Sequence, residues 1–172
     1  MKEKVTHPFA PVCGENAEVL ILGTFPSVKS RENAFYYGHP RNRFWPLLAE
    51  IFQTDVPRTI EEKTLFLRQN RVALWDVVAA CEIEGSADSS IAEAKANDIP
   101  GLLRKTKINR IICNGKKAGE LFDRHFPEIA NGGTIEVICC PSTSPANAAW
   151  TMEKLSLPWR EALCCPKEEP AP

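Results

Sequence analysis

Apolar residues along the chain fall into short unbroken runs separated by stretches that repeat at helical spacing. Four runs, at 18–23, 72–76, 108–113 and 134–140, read as buried parallel strands, the first closed by Gly23. After the first run, Phe44, Leu47, Leu48, Ile51 and Phe52 share one helical face, with Asn42 in place to cap it and Pro46 in its first turn. A second helix is predicted over 60–68. A third runs from an Asp98 cap to about Thr106, with Pro100 near its start. Asn114 is placed to cap a fourth helix carrying Ala118, Leu121, Phe122 and His125 on one stripe. The last helix is predicted over 148–163, with Pro158 a candidate break. Between these elements lie polar stretches at 24–43, 81–90 and 141–147. The residues from 164 to 172 carry no apolar pattern and read as a frayed tail after one domain spanning 1–163.

Strands alternating with helices predict an α/β fold with a parallel sheet covered on both faces. Sites in such sheets lie beyond the carboxyl ends of the strands. Those ends are 24–42, 76–90, Asn114 and 141–147, so every unusual polar loop opens onto one edge. The pattern alone therefore predicts an enzyme or ligand binder. The 24–43 loop is long for a compact domain, which points to function or disorder, and its aromatic and His content argues against disorder.

Composition narrows the class. The chain has 172 residues, 44% hydrophobic and 25% charged, which suits a soluble single domain. No apolar run reaches the ~20 residues of a membrane span, and no signal core follows the N-terminus; a cytoplasmic protein is expected, or a nuclear one in a eukaryote. Seven cysteines with no C-x-x-C spacing predict free thiols in a reducing compartment and no structural metal. Net charge is −1, so bulk charge does not attract nucleic acid. Locally, however, residues 23–45 carry Lys29, Arg31, Arg41 and Arg43 against Glu32 alone. The first strand leads into neither G-x-G-x-x-G nor a P-loop, and no G-x-S-x-G elbow occurs.

Three segments carry a resemblance. They are Gly23-Thr24-Phe25-Pro26-Ser27, the run from Tyr36 through His39-Pro40-Arg41-Asn42-Arg43-Phe44-Trp45, and Pro141-Ser142-Thr143-Ser144-Pro145-Ala146-Asn147-Ala148. Together they resemble the uracil-DNA glycosylase superfamily, most closely its hypoxanthine-DNA (deoxyinosine) glycosylase branch. The resemblance implies a three-layer sandwich around a four-stranded parallel sheet of order 2-1-3-4. It further implies DNA across the carboxyl edge and a target base flipped into a pocket.

The same resemblance assigns residues. Its members usually place Asp or Asn third in the first motif to position water; this chain has Phe25 there. Asn42 is then expected to be catalytic, with an N-cap as the bland alternative. Gly23, Thr24 and Phe25 would border the base. Ser27, where uracil-restricted members carry Tyr, would leave room for a purine or simply serve a turn. Phe44 matches a base-stacking aromatic but also fits the core stripe. Asp76 would accept from the N1–H of hypoxanthine and reject adenine, or else tie down its loop. Asn114 would contact the purine or cap the helix. Ser142 replaces a uracil-reading His, Ser144 and Asn147 would donate to phosphates, and Arg41 and Arg43 would meet the backbone.

The expected protein is a monomeric, monofunctional glycosylase that removes hypoxanthine from DNA without metal or other cofactor. The rivals are excision of uracil or mismatched thymine by the same fold, and a DNA or nucleotide binder without catalysis.

Overall fold

The protein is described here from a computed structural model covering residues 3–6, 10–25, 35–83 and 92–164. Four strands, β2 (Val19–Gly23), β3 (Val72–Asp76), β6 (Arg110–Asn114) and β7 (Glu136–Cys140), form a parallel sheet in the order β3-β2-β6-β7. This is the expected arrangement, with the second run beside the first. β2 and β6 are the central strands, and β6 is buried at every position. Alternation sorts their side chains between two cores. Ile21 and Ile112 join one cluster, while Leu20, Leu22, Ile111 and Cys113 join the other.

The first cluster is closed by α1 (Phe44–Phe52), α2 (Ile60–Gln69) and α6 (Met152–Cys164), through Phe44, Leu47, Phe66, Leu155 and Trp159. The second is closed by α3 (Ile99–Arg104) and α4 (Lys116–His125), through Ile99, Ala118, Leu121 and Phe122, with the short α5 (Pro127–Ala130) following. Helix starts follow side-chain chemistry. Thr59 and Glu62 make a capping box on α2, and Asp98 accepts from Gly101 N–H at the start of α3.

Three features depart from expectation. Beside the main sheet lies an antiparallel one, β1-β4-β5, from Glu3–Thr6, Val78–Ile83 and Ala92–Ala96. The polar loop expected over 81–90 is therefore strand as far as Ile83; residues 84–90 lie outside the described set. β5 reads Ala-Glu-Ala-Lys-Ala, a helix-favouring composition that strand pairing overrides. Second, α6 begins at Met152, four residues later than predicted, and continues through Pro158. The carbonyl that this proline leaves without a helical donor belongs to Lys154, which is exposed to water. Third, Asn114 does not cap α4. Gly115 takes that place at φ 101°, a conformation glycine tolerates, and a Cβ there would stand 3.0 Å from Ser142 Cβ. The 164–172 tail lies outside the described residues beyond Cys164.

Candidate active site at the sheet edge

The segment preceding α1 is fixed from both sides. Tyr36 donates its hydroxyl hydrogen to the Ala10 carbonyl, and Trp45 Nε1 donates to the Tyr36 carbonyl. This brings Asn42 to the carboxyl edge, half-buried, where Asn42 Oδ1 accepts from Phe44 N–H at 3.0 Å and from Thr143 Oγ1 at 2.8 Å. Asn42 thus supports the first turn of α1 although Arg43 is the formal N-cap, so the capping and site readings hold together.

Thr143, fully buried, links this group to β6. Its N–H donates to Asn114 Oδ1 and its Oγ1 accepts from Asn114 Nδ2, each at 3.0 Å. Asn114, Thr143 and Asn42 therefore form one continuous chain of hydrogen bonds. Sequence reading missed Thr143. A threonine between two serines in a turn carries no periodic signal, and its role exists only because the 141–147 loop crosses the tip of β6.

Arg43 clamps that loop. Its guanidinium donates to the carbonyls of Ser144 (2.9 Å), Asn147 (3.1 Å), Thr143 (3.4 Å) and Trp150. The expected phosphate contact would have to compete with these carbonyls. Arg41, by contrast, has an exposed side chain, and among the described residues only its backbone N–H is engaged, on His39 Nδ1. The loop also braces itself. Ser142 Oγ accepts from Ser144 N–H, Ser144 Oγ from Ala146 N–H, and Asn147 Nδ2 donates to the Ser142 carbonyl. A surface cavity of about 490 Å³ opens against Lys116, Pro141, Ser142, Ser144, Asn147 and Trp150.

On the other side of the edge, β2 and β3 end at Gly23 and Asp76, which pair in register. Asp76 is only 3% exposed. A Cβ on Gly23 would lie 2.4 Å from Asp76 Oδ1 and 3.1 Å from the Tyr37 hydroxyl, so the bare backbone is required there. Thr24 is buried and Phe25 half-buried beside them; Ser27 lies outside the described residues.

Phe44 is a core residue with 0% exposure, and Tyr37 stacks on it with ring centroids 4.0 Å apart and planes 22° from parallel. Phe44 thus lies in the core with its ring covered by Tyr37, which sequence reading passed over. Tyr37 sits in the left-handed region at φ 55°, strained for a bulky residue. Its hydroxyl is buried near the Asn114 amide with no well-formed hydrogen bond among the described residues, although the residue as a whole keeps some exposed surface. Burial holds that phenol well above its ordinary value, the Asp76 carboxylate adds to the effect, and Asn114 offsets part of it.

A doubly covered parallel sheet with its polar loops gathered at the carboxyl edge defines a class of single-site α/β domains, and the comparisons place the chain within it. The uracil DNA glycosylase superfamily profile matches residues 10–163, and the chain belongs to that superfamily. Among curated relatives, a Methanosarcina acetivorans protein named hypoxanthine DNA glycosylase is 39% identical over 150 residues, covering 86% of this chain and 92% of its own. One of the same name from Methanosarcina barkeri is 39% identical over 157 residues, covering 90% and 96%. The solution structure of a Methanosarcina acetivorans protein described as a candidate uracil DNA glycosylase is similar, with a TM-score of 0.76 and 36% identity over 90% of this chain and 94% of that one.

Proposed function

We propose that this chain is a monofunctional DNA glycosylase that hydrolyses the N-glycosidic bond of hypoxanthine in DNA. The observation that carries the reading is convergence. Asn42, Asp76 and Asn114 come from three separate segments, yet they meet at one sheet edge, tied through Thr143, Gly23 and Tyr37, in a chain whose relatives bear that enzyme's name.

The chemistry follows from the groups present. Water attacks the sugar carbon as the carbon–nitrogen bond breaks, so positive charge builds on the sugar and negative charge on the departing base. Asn42 is an amide and no general base, so its contribution is orientation and charge stabilisation, worth about 10²–10³ in rate for one well-placed donor. Asp76, an acceptor when ionised, suits the N1–H of hypoxanthine, whereas adenine presents an acceptor there. Tyr37 supplies an aromatic ring beside the Gly23 end of β2. Ser142 contributes no imidazole to a pyrimidine carbonyl. Arg41, with Ser144 and Asn147, faces the DNA backbone, while Arg43 keeps their loop in shape. The enzyme acts as a monomer without metal or cofactor.

Strand nicking after alkali, with duplexes containing inosine, xanthosine, uridine or mismatched thymine, tests the reading. Fastest cleavage at inosine is expected. Preference for uridine or mismatched thymine would make the protein a pyrimidine glycosylase. Binding with no base release from any duplex would leave a non-catalytic binder.

A further inference from the structure

The hydrogen bonds around Asn42 fix which end of its amide can meet a substrate. A carbonyl oxygen has two lone pairs, and both on Oδ1 are engaged, one by Phe44 N–H and one by Thr143 Oγ1. Phe44 N–H can only donate, so the amide cannot be turned round without losing that bond. Thr143 Oγ1 accepts from Asn114 Nδ2, which leaves its hydroxyl hydrogen to point at Asn42. The rest of Thr143 is immobilised, since it is fully buried and its N–H is held by Asn114 Oδ1. Nδ2 of Asn42 bonds to nothing among the described residues, and Asn42 is half-exposed.

We infer that Thr143 is the positioning residue of the site, holding the Asn42 amide by its oxygen so that Asn42 presents only N–H donors to the reacting nucleotide. This inference rests on the catalytic reading of Asn42 above. It fixes the sense of that role: Asn42 accepts nothing from the reacting groups and only donates to them. A donor there acts on an acceptor, whether the water oxygen itself or an atom gaining negative charge as the base departs. Asn114 is the anchor that gives Thr143 its direction. The edge is thus wired from β6 through the 141–147 loop to the start of α1, with only one kind of hydrogen-bonding group left outward.

The test is a single-turnover cycle on an inosine duplex with Asn42→Ala, Asn42→Asp, Thr143→Val, Thr143→Ser and the double variant N42A/T143V, with duplex affinity and urea midpoints measured alongside. Thr143→Val keeps the shape and removes the hydroxyl. It is expected to slow base release about 10–100-fold, the scale of a misplaced catalytic group, with duplex affinity within about twofold. Thr143→Ser should recover most of that loss. In the Asn42→Ala background, Thr143→Val should slow the reaction no further, because the two act as one unit. Asn42→Asp, which replaces the outward N–H donors by an acceptor, should be as slow as Asn42→Ala.

A wild-type rate in Thr143→Val, or an equal further loss in the double variant, overturns the positioning role. Near-normal activity in Asn42→Asp overturns the donor assignment, and does so even if Thr143→Val does not fold. A wild-type rate in Asn42→Ala would be a different failure, that of the catalytic reading of Asn42 itself.

Discussion

The two sides of the sheet edge are finished differently. On the β6 side, Asn42, Thr143 and Asn114 bond to one another and Arg43 to the loop carbonyls, at 2.8–3.1 Å, three of these bonds reaching across about a hundred residues of chain. On the β2–β3 side, the bare Gly23 backbone, the Asp76 carboxylate and the Tyr37 hydroxyl crowd together, and the hydroxyl has no well-formed hydrogen bond among the described residues. A buried hydroxyl with no partner is costly, and so is a tyrosine at positive φ. The contrast separates two tasks. Groups that must hold one geometry through the reaction are bonded in advance. On the other side the Tyr37 hydroxyl keeps capacity unmet among the described residues, where an incoming group could meet it.

The largest effect should come from loosening the wired side. Arg43→Ala removes a charged fork from the carbonyls of Thr143, Ser144, Asn147 and Trp150. It is expected to lower stability by about 2–4 kcal/mol in urea unfolding. Arg43→Lys should recover little, because an ammonium cannot span the same carbonyls. Full stability in Arg43→Ala would mean that the loop holds itself.

On the reading side, Gly23→Ala forces a methyl onto Asp76 Oδ1. A cost of about 1–3 kcal/mol is expected, with excision falling more steeply than stability. Unchanged excision would place the base elsewhere.

Tyr37→Phe sharpens the contrast through its sign. Deleting an unpartnered buried hydroxyl should stabilise the free protein by about 1 kcal/mol while slowing excision of hypoxanthine. It should also change the alkaline limb of stability. An unfolded chain releases this phenolic proton near its ordinary value of 10.0, while the folded chain holds it to higher pH. Stability therefore carries no penalty from Tyr37 below pH 10 and falls as pH rises beyond it. The variant loses that part of the fall. Tyr36, and Cys113 and Cys140, whose thiols burial pushes up to about 12, keep the rest. An identical alkaline profile in variant and parent would contradict the burial of this hydroxyl.

The smallest change in fold is expected at Arg41. Arg41→Ala should leave stability within about 0.5 kcal/mol, as for an exposed surface position. The salt dependence of duplex binding should fall by roughly one phosphate's worth. An unchanged salt slope would turn Arg41 away from DNA.

By itself the sequence determined the frame. The buried runs of β2, β3 and β6 could be read because strands covered on both faces are largely apolar, the edge strand β7 by its apolar run although only Cys140 of it is buried, and the Asn42 segment because its motif lies next to a helical repeat. The Asp98 cap was legible, since capping is local chemistry, whereas the Thr59 box was not picked out. Only the tertiary structure decided the rest. β4 and β5 exist through pairing with each other and with β1, against the helix-favouring composition of β5. Asn114, which local pattern offered to α4, turned to Thr143, 29 positions away. Phe44 went into the core beneath the Tyr37 ring because α1 sinks its first residue there. Caps and periodicity act over one turn of chain and are written in neighbouring letters, whereas a hydrogen bond between distant segments depends on where the sheet delivers each of them.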